Sequence, residues 1–366
     1  MNLENSESPC IIFAHLGSIN PKHLWPNIQR THSLFPTAEI HFIKDSNLRI
    51  PSKVRSIVTI HEYLRTPEIA KIRSAHLHDS SFRQGFWWLS LERIIAVGQA
   101  HLATGRQHAI HLESDVMLMP NFPWGSLSDS QIHWCRYNEA RDVAAIVSLP
   151  SQAHTEWLMK EIIQRIGLDS THTDMTLLSE ISQVNDQMVQ ILPSLGTTEM
   201  DLRNLNNSSK LLESLSLDNS YVSKGIFDGA AIGMWLCGQD PRNHYGVTRY
   251  RSQNIIESGD SFVDPSRFGF SYNSQDGLRM LKENSYLEIW NLHIHSKNQR
   301  LLGLDWEAEL QRILGMKNKC REFDLKILLS LILSNLRQGT FLRFCLSFPP
   351  IYSRLKPLMD RLWKSK

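Results

Sequence analysis

Two carboxylates carry the first chemical signal in this chain. Glu113 and Asp115 stand two positions apart in HAIHLESDVMLMPNF (residues 108–122), directly after the alternating apolar run Ala109-Ile110-His111-Leu112. That run reads as the end of a short buried strand, and residues two apart on an extended chain point to the same side. Carboxylate oxygens are hard ligands for Mg²⁺ or Mn²⁺, ions that keep part of their shell for water and substrate phosphates. An acidic pair where an α/β strand leaves its sheet is a candidate metal–diphosphate site. The ordinary alternative is a polar turn in which Asp115 accepts from a nearby backbone N–H.

A second group lies far along the chain. Asn291-Leu292-His293-Ile294-His295-Ser296-Lys297 alternates, placing His293 and His295 on one face and Leu292 and Ile294 on the other. An imidazole can ligate a metal, and a lysine just beyond can act as a point charge for phosphate. The chain holds 16 histidines, so a lone histidine means little. The pairing with Lys297 is what singles this segment out. In Phe227-Asp228-Gly229-Ala230-Ala231-Ile232-Gly233 the small residues allow close helix packing or close approach of a ligand, and Asp228 doubles as a candidate helix N-cap.

The elements that must position these residues follow a strand–helix–strand rhythm. Cys10–Ala14 reads as a first buried strand, and Asn20-Pro21 as an N-cap and first turn of a helix reaching about Leu34. Ala38–Ile43 and Ile57–Ile60 read as further strands. One long helix is expected over Phe82–Thr104, closed by Gly105 at C′. It contains Arg83 and Arg93, each a candidate phosphate ligand whose ordinary reading is a solvated or locally paired arginine. Val143–Val147 is another strand, followed by helices from about Ser151 to Ile166 and from a Thr173-Asp174 cap through Leu192. Residues 196–224, rich in Asn and Ser, read as a surface loop that could serve as a lid or an acceptor-binding insertion. This rhythm predicts an α/β, Rossmann-like domain with a mostly parallel central sheet flanked by helices over residues 1–315.

Composition narrows the class. At 366 residues, 42% hydrophobic and 21% charged, with ten tryptophans, the chain can bury a large core. A net charge of +2 gives no nucleic-acid-like field. That average hides an asymmetry: residues 317–366 hold 11 basic and 3 acidic residues, against 28 and 34 in the remainder. The segment 316–366 is therefore expected as a basic, apolar helical extension, either capping the domain or making peripheral contact with an anionic membrane. Five scattered cysteines without a CxxC pair argue against a disulfide framework or structural zinc and for a reducing, cytoplasmic setting. MNLENSESPC has no basic and apolar leader, so no signal peptide is expected.

FWWLSLERIIAV running into HLESDVMLMPNF, then FDGAAIGMWLCGQDPRN, then NLHIHSK resemble glycosyltransferases of the GT-A fold across roughly residues 10–300. The usual Asp-x-Asp motif of that fold has Glu113 in its first position here. The resemblance implies a divalent cofactor, Mn²⁺ or Mg²⁺, held by Asp115 with His293 or His295. It implies a nucleoside-diphosphate sugar donor contacted by Ala14, His15, Gly17, Asp45, Arg83, Glu113 and Lys297, and a glycan or lipid-linked acceptor. Asp228 is then the expected catalytic base of an inverting enzyme. Two other readings compete. A metal-dependent nucleotidyltransferase is expected to carry a Gly-rich phosphate loop, and HLGSIN supplies one glycine. A membrane-associated nucleotide-sugar-binding protein without turnover is the non-enzymatic alternative.

Overall fold

The computed structural model describes residues 9–45, 48–77, 85–127, 130–138, 140–195, 225–238, 265, 268–282 and 285–322. Arg83, the 196–224 stretch and the segment expected at a membrane beyond Glu322 lie outside the described residues.

From the N-terminus, β1 (Cys10–His15) leads through α1 (Leu24–Leu34) to β2 (Glu39–Lys44), α2 (Ser52–Arg55), β3 (Thr59–Glu62) and α3 (Pro67–Ala75). The long α4 (Phe86–Thr104) then delivers β4 (Ala109–Leu112) and β5 (Val116–Leu118). A hairpin of β6 (Ile132–Asn138) and β7 (Arg141–Leu149) precedes α5 (Gln152–Leu168), α6 (Asp174–Val184) and β8 (Val189–Leu192). The remaining elements are β9 (Gly225–Ile226), α7 (Ala231–Cys237), β10 (Gly269–Asn273), β11 (Gly277–Lys282), β12 (Ser285–Ile289), β13 (Asn291–His293) and α8 (Trp306–Glu322).

Seven strands form the central sheet in the order β3-β2-β1-β4-β7-β6-β8. The ladders from β3 to β4 are parallel, as is β6 with β8, while β7 runs against both β4 and β6. The sheet is thus mixed. The reversal has a simple cause: the link between β6 and β7 is too short for a crossover, so the two strands can only pair antiparallel. Both faces of the sheet are covered, as alternation along β1 shows. Cys10, Ile12 and Ala14 pack with α4 and α5, while Ile11 and Phe13 pack with α1. A smaller sheet, β10-β11-β12-β9, shares a second core with α7 and α8 through residues such as Ile232, Leu278, Leu310 and Leu314.

Several boundaries move. Asn20 does not cap a helix; α1 begins at Leu24, and the Asn20 side chain accepts from Trp25 Nε1 at 2.8 Å. The helix opened by the Thr173–Thr176 capping box ends at Val184, and Val189–Leu192 turns into strand at the sheet edge. α4 begins at Phe86, after Gly85 at φ 84°, and ends as expected on Gly105 in the left-handed conformation. The boundary expected at 315/316 falls inside α8, whose buried Ile313 and Leu314 belong to the second core.

α4 positions the site, and a buried charge fixes α4. Glu92 is fully buried, takes both Nε and Nη2 of Arg65, accepts from Trp88 Nε1 at 2.7 Å and has Arg73 3.7 Å away. A buried carboxylate tolerates its surroundings only while such donors stay in place. Arg65→Ala is therefore expected to destabilise the fold by about 3 kcal/mol, the order found when one partner of a buried pair is removed. Urea denaturation measures this, and a loss below about 1 kcal/mol would show Arg73 and Trp88 to be sufficient.

Candidate metal centre

The acidic turn sits where three parts of the chain meet. Glu113 directly follows β4, Ser114 and Asp115 form a turn, and β5 begins one residue later. The turn is held on every side. Glu113 N donates to Ala145 O (3.0 Å) and Val116 N donates to Glu113 O (3.0 Å). From α1, Asn27 donates to Ser114 O (3.3 Å) and Val116 O (2.8 Å), and His23 shares a hydrogen bond with Ser114 Oγ (2.9 Å). Asn27 is wholly buried, so its amide is an internal clamp on the turn.

β5 pairs antiparallel with β13, setting His293 opposite Val116, and Ile294 N donates to Asp115 O at 2.7 Å. That register carries His293 across 178 positions of sequence to the acidic pair. Its Nε2 lies 3.3 Å from Glu113 Oε2 and 3.5 Å from Asp115 Oδ1. On the far side of the ring, Nδ1 meets Gly229 O at 2.6 Å. A carbonyl only accepts, so Nδ1 carries the proton and Nε2 is the atom turned to the carboxylates. Glu113, Asp115 and His293 offer ligand atoms that all lie within 4.8 Å of one another. Two carboxylates and one imidazole with an outer hydrogen bond suit Mn²⁺ or Mg²⁺ well, and the residues present fit such an ion.

Two cations complete the cluster. Arg93 Nη2 binds Glu113 Oε1, and Lys297 Nζ lies 2.5 Å from Asp115 Oδ2. Asp174, the first residue of α6, approaches Arg93 to 4.0 Å. Burial raises the Asp174 carboxyl to about 6, with Glu113 adding to the rise and Arg93 opposing it. Asp115 goes the other way. Burial would raise it, but Lys297 and His293 outweigh that and hold it well below the usual carboxylate range. For His293, burial disfavours the charged ring, yet Asp115, Glu113 and the Gly229 carbonyl prevail and lift it to about 9.

The other expected residues distribute unevenly. Ala14, His15, Gly17 and Asp45 stand at the C-terminal ends of β1 and β2, the edge from which Glu113 also emerges. Gly17 (φ 105°) donates its N–H to Asp45 Oδ1 at 3.0 Å, and His15 meets Ile19 O at 2.8 Å. Burial lowers the His15 pKa, and Arg93 adds to that effect. His295 stacks on His293, with ring centres 4.0 Å apart, and lies outside the ligand group.

Asp228 lies just before the start of α7 and binds its first-turn backbone N–H groups. It is 1% exposed and its carboxylate accepts from Ile232 N (3.0 Å), Gly233 N (2.7 Å) and His293 N (3.0 Å). Its backbone N–H and C=O are both bound by the Asn291 amide. The carboxylate thus braces the His293 backbone through three main-chain donors, and burial pushes its pKa up while those donors oppose the rise. The small residues around it have the packing explanation: a Cβ on Gly233 would come within 2.0 Å of the His293 carbonyl oxygen.

Sequence reasoning missed Arg93, Asn27 and Asn291 as parts of the site. Arg93 had one visible sign, a charge breaking an apolar helical face. The two asparagines had none, because their partners lie 63 to 89 residues away.

No family model matches the chain, and no curated protein matches it. Solved structures do. It is similar to the galactosyltransferase LgtC, solved with donor and acceptor sugar analogs, at 11% identity over 50% of this chain and 73% of that one, TM-score 0.35. It is similar to the glycosyltransferase GlyE of Streptococcus pneumoniae at 12% identity over 85% of this chain and 64% of that one, TM-score 0.36. A glycosyltransferase involved in the glycosylation of the major capsid of PBCV-1 gives 10% identity over 50% of this chain and 81% of that one, TM-score 0.31. These likenesses are distant, and the reading of the site rests on its own geometry.

His293 makes the site sensitive to pH. Its pKa rises from 6.5 in the unfolded chain to about 9 in the fold, so the native state holds more protons between those values. The stabilisation is complete below pH 6.5 and is lost as pH rises through 9. In EDTA, the stability difference between the wild type and His293→Gln is expected to shrink steadily over that window. A difference that stays constant from pH 6 to about 9.5 would show that no imidazolium is held there.

Proposed function

We propose that this chain is a metal-dependent glycosyltransferase, moving a sugar from a nucleoside-diphosphate sugar to a hydroxyl of a glycan or lipid-linked acceptor. One observation carries the reading: Glu113, Asp115 and His293 converge at the carboxyl edge of the sheet with Arg93 and Lys297 already on the carboxylates. Such an edge is where α/β folds bind ligands. A divalent ion bound there supplies positive charge to the diphosphate that leaves as the glycosidic bond breaks.

The chain's own residues supply the rest. Asp115 and His293 would hold the ion, with Glu113 beside them. Lys297 is within reach of the same position and brings a point charge to the phosphates. Arg93, on the rigid α4, presents a guanidinium fork suited to the diphosphate or the donor sugar's hydroxyls. His15, Gly17 and Asp45 border the same edge and form the nucleoside side of the pocket. Asp228 and Asn291 hold the His293 backbone in place, which keeps Nε2 aimed at the carboxylates.

A nucleotidyltransferase reading is weaker on a specific point. The single glycine of the loop after β1 donates its N–H to Asp45, so that N–H does not face a phosphate. No described helix is long and apolar enough to cross a membrane.

The test is a thermal-shift series with UDP, GDP, CDP and ADP, each with and without Mn²⁺. A ligand bound at 100 times its Kd stabilises the native state by about 2.7 kcal/mol, a shift of several degrees. One nucleotide is expected to raise the melting temperature in a metal-dependent way, and Asp115→Ala is expected to abolish that shift. The matching nucleotide sugar should then be hydrolysed or transferred at least about 100-fold more slowly by Asp115→Ala. Full activity of that variant with Mn²⁺ would overturn the metal assignment, and no shift with any nucleotide would overturn the donor assignment.

A further inference from the structure

Lys297 stands out for two independent reasons. Among the described residues it is the non-glycine residue with a positive φ, at 53°. Lysine gains nothing from the left-handed region, and such conformations persist where surrounding structure over-determines them and gather at functional sites. The backbone restraint is visible: Lys297 N donates to Ile294 O at 2.8 Å, and Ile294 N is itself tied to Asp115 O. The second reason is where the side chain goes. Its Nζ is 2.5 Å from Asp115 Oδ2, while its side chain is 27% exposed. The ammonium thus reaches the buried carboxylate from solvent along a four-carbon arm.

At 2.5 Å no cation fits between Nζ and Oδ2. An ion that binds this oxygen either displaces the lysine or takes its remaining lone pair with the ammonium still in place, which sets two cations on one oxygen. The other acceptor atoms of the pair are engaged as well, Asp115 Oδ1 and Glu113 Oε2 by His293 and Glu113 Oε1 by Arg93. A divalent ion arriving alone would therefore add two positive charges beside cations that already balance Asp115 and Glu113. A nucleoside diphosphate changes the sum, because its phosphates give the displaced ammonium a new partner close by.

We propose that Lys297 is a built-in counter-ion that exchanges Asp115 for the diphosphate, so that metal and nucleotide bind as a pair and neither binds well alone. The proposal rests on the donor and metal reading above and adds a coupling to it. Linkage makes the coupling reciprocal: whatever factor the nucleotide gives the metal, the metal returns to the nucleotide. It also gives the enzyme a way to avoid sequestering free metal in the absence of substrate. Lys297 is here a positioning and gating residue for ligand binding, and binding is where it is tested.

The experiment titrates Mn²⁺ by electron paramagnetic resonance of the free ion, with and without the nucleoside diphosphate that gives the thermal shift. Wild type, Lys297→Asn and Lys297→Arg are compared, each checked for folding by circular dichroism. Asparagine tolerates the left-handed backbone and is too short to hold Asp115 as lysine does. In the wild type the nucleotide is expected to tighten Mn²⁺ by about 10- to 100-fold, within the usual range of allosteric coupling. In Lys297→Asn, Mn²⁺ alone should bind more tightly than to the wild type, by about tenfold, and the coupling should fall to within about threefold of unity. Lys297→Arg should keep most of the coupling. A purely structural ion pair gives the opposite pattern: Lys297→Asn binds Mn²⁺ more weakly or equally, with coupling intact, and the proposal fails. Independent binding of Mn²⁺ and nucleotide to the wild type overturns the coupling, and the functional reading is then decided by the transfer activity of Asp115→Ala. Failure of the wild type to bind either one overturns both, and an Asn variant that does not fold leaves the wild-type coupling and Lys297→Arg to decide.

Discussion

Everything around the site answers one electrostatic constraint, the burial of two carboxylates side by side. Glu113 and Asp115 are 8% and 6% exposed, and their mutual repulsion would be severe without compensation. The protein supplies an imidazole from β13, a guanidinium from α4 and an ammonium from the turn after β13. Those three groups come from opposite ends of the chain. The arrangement exists only when the central sheet, α4 and the β5–β13 pair are all in place. The site thereby becomes a consequence of the complete fold. A local acidic turn of the same sequence would attract solvent and nothing more.

This explains which features could be read from the sequence and which could not. The apolar run Cys10–Ala14, the alternation of Ala109–Leu112, the Gly105 stop, the helix start near Ser151 and the Thr173 cap are local, and each appears where its residues indicate. The acidic pair and the histidine–lysine segment were legible for the same reason, since their chemistry lies in residue type and spacing. The reversal of β7 was not, because its hairpin partner was hidden: β6 reads IHWCRYN, whose mixture of polar and aromatic residues masks a strand that lies in the main sheet beside β7. The end of α6 was also hidden, because a helical pattern continues past Val184 until the tertiary pairing of β8 with β6 overrides it.

Asp228 is a residue type with two readings. A carboxylate beside glycines fits a catalytic base and a helix cap equally well on sequence. The distinction depends on where three backbone N–H groups point, and one of them belongs to His293, 65 residues away. Asn291 reinforces it through paired hydrogen bonds to the Asp228 backbone. This amide–carboxylate frame does for His293 what Asn27 does for the acidic turn: it fixes a ligand through main-chain atoms. Arg93 is the converse case. An arginine in an apolar helix resembles a solvated or paired surface charge, and the sequence does not reveal that its partner is Glu113.

The site therefore combines two kinds of support with different mechanical character. Glu113, Asp115 and His293 are held through buried backbone hydrogen bonds whose disruption would cost unsatisfied polar groups, so their positions are set before any ligand arrives. Arg93 and Lys297 reach the same point through long side chains that retain partial exposure, 17% and 27%, and each meets one carboxylate oxygen. Under the proposed function, short anchored ligands and longer, partly exposed cations are what a departing diphosphate requires. The fixed oxygens and nitrogen define where positive charge is placed. The longer arms can turn from a carboxylate to a phosphate without any rearrangement of the sheet that carries them.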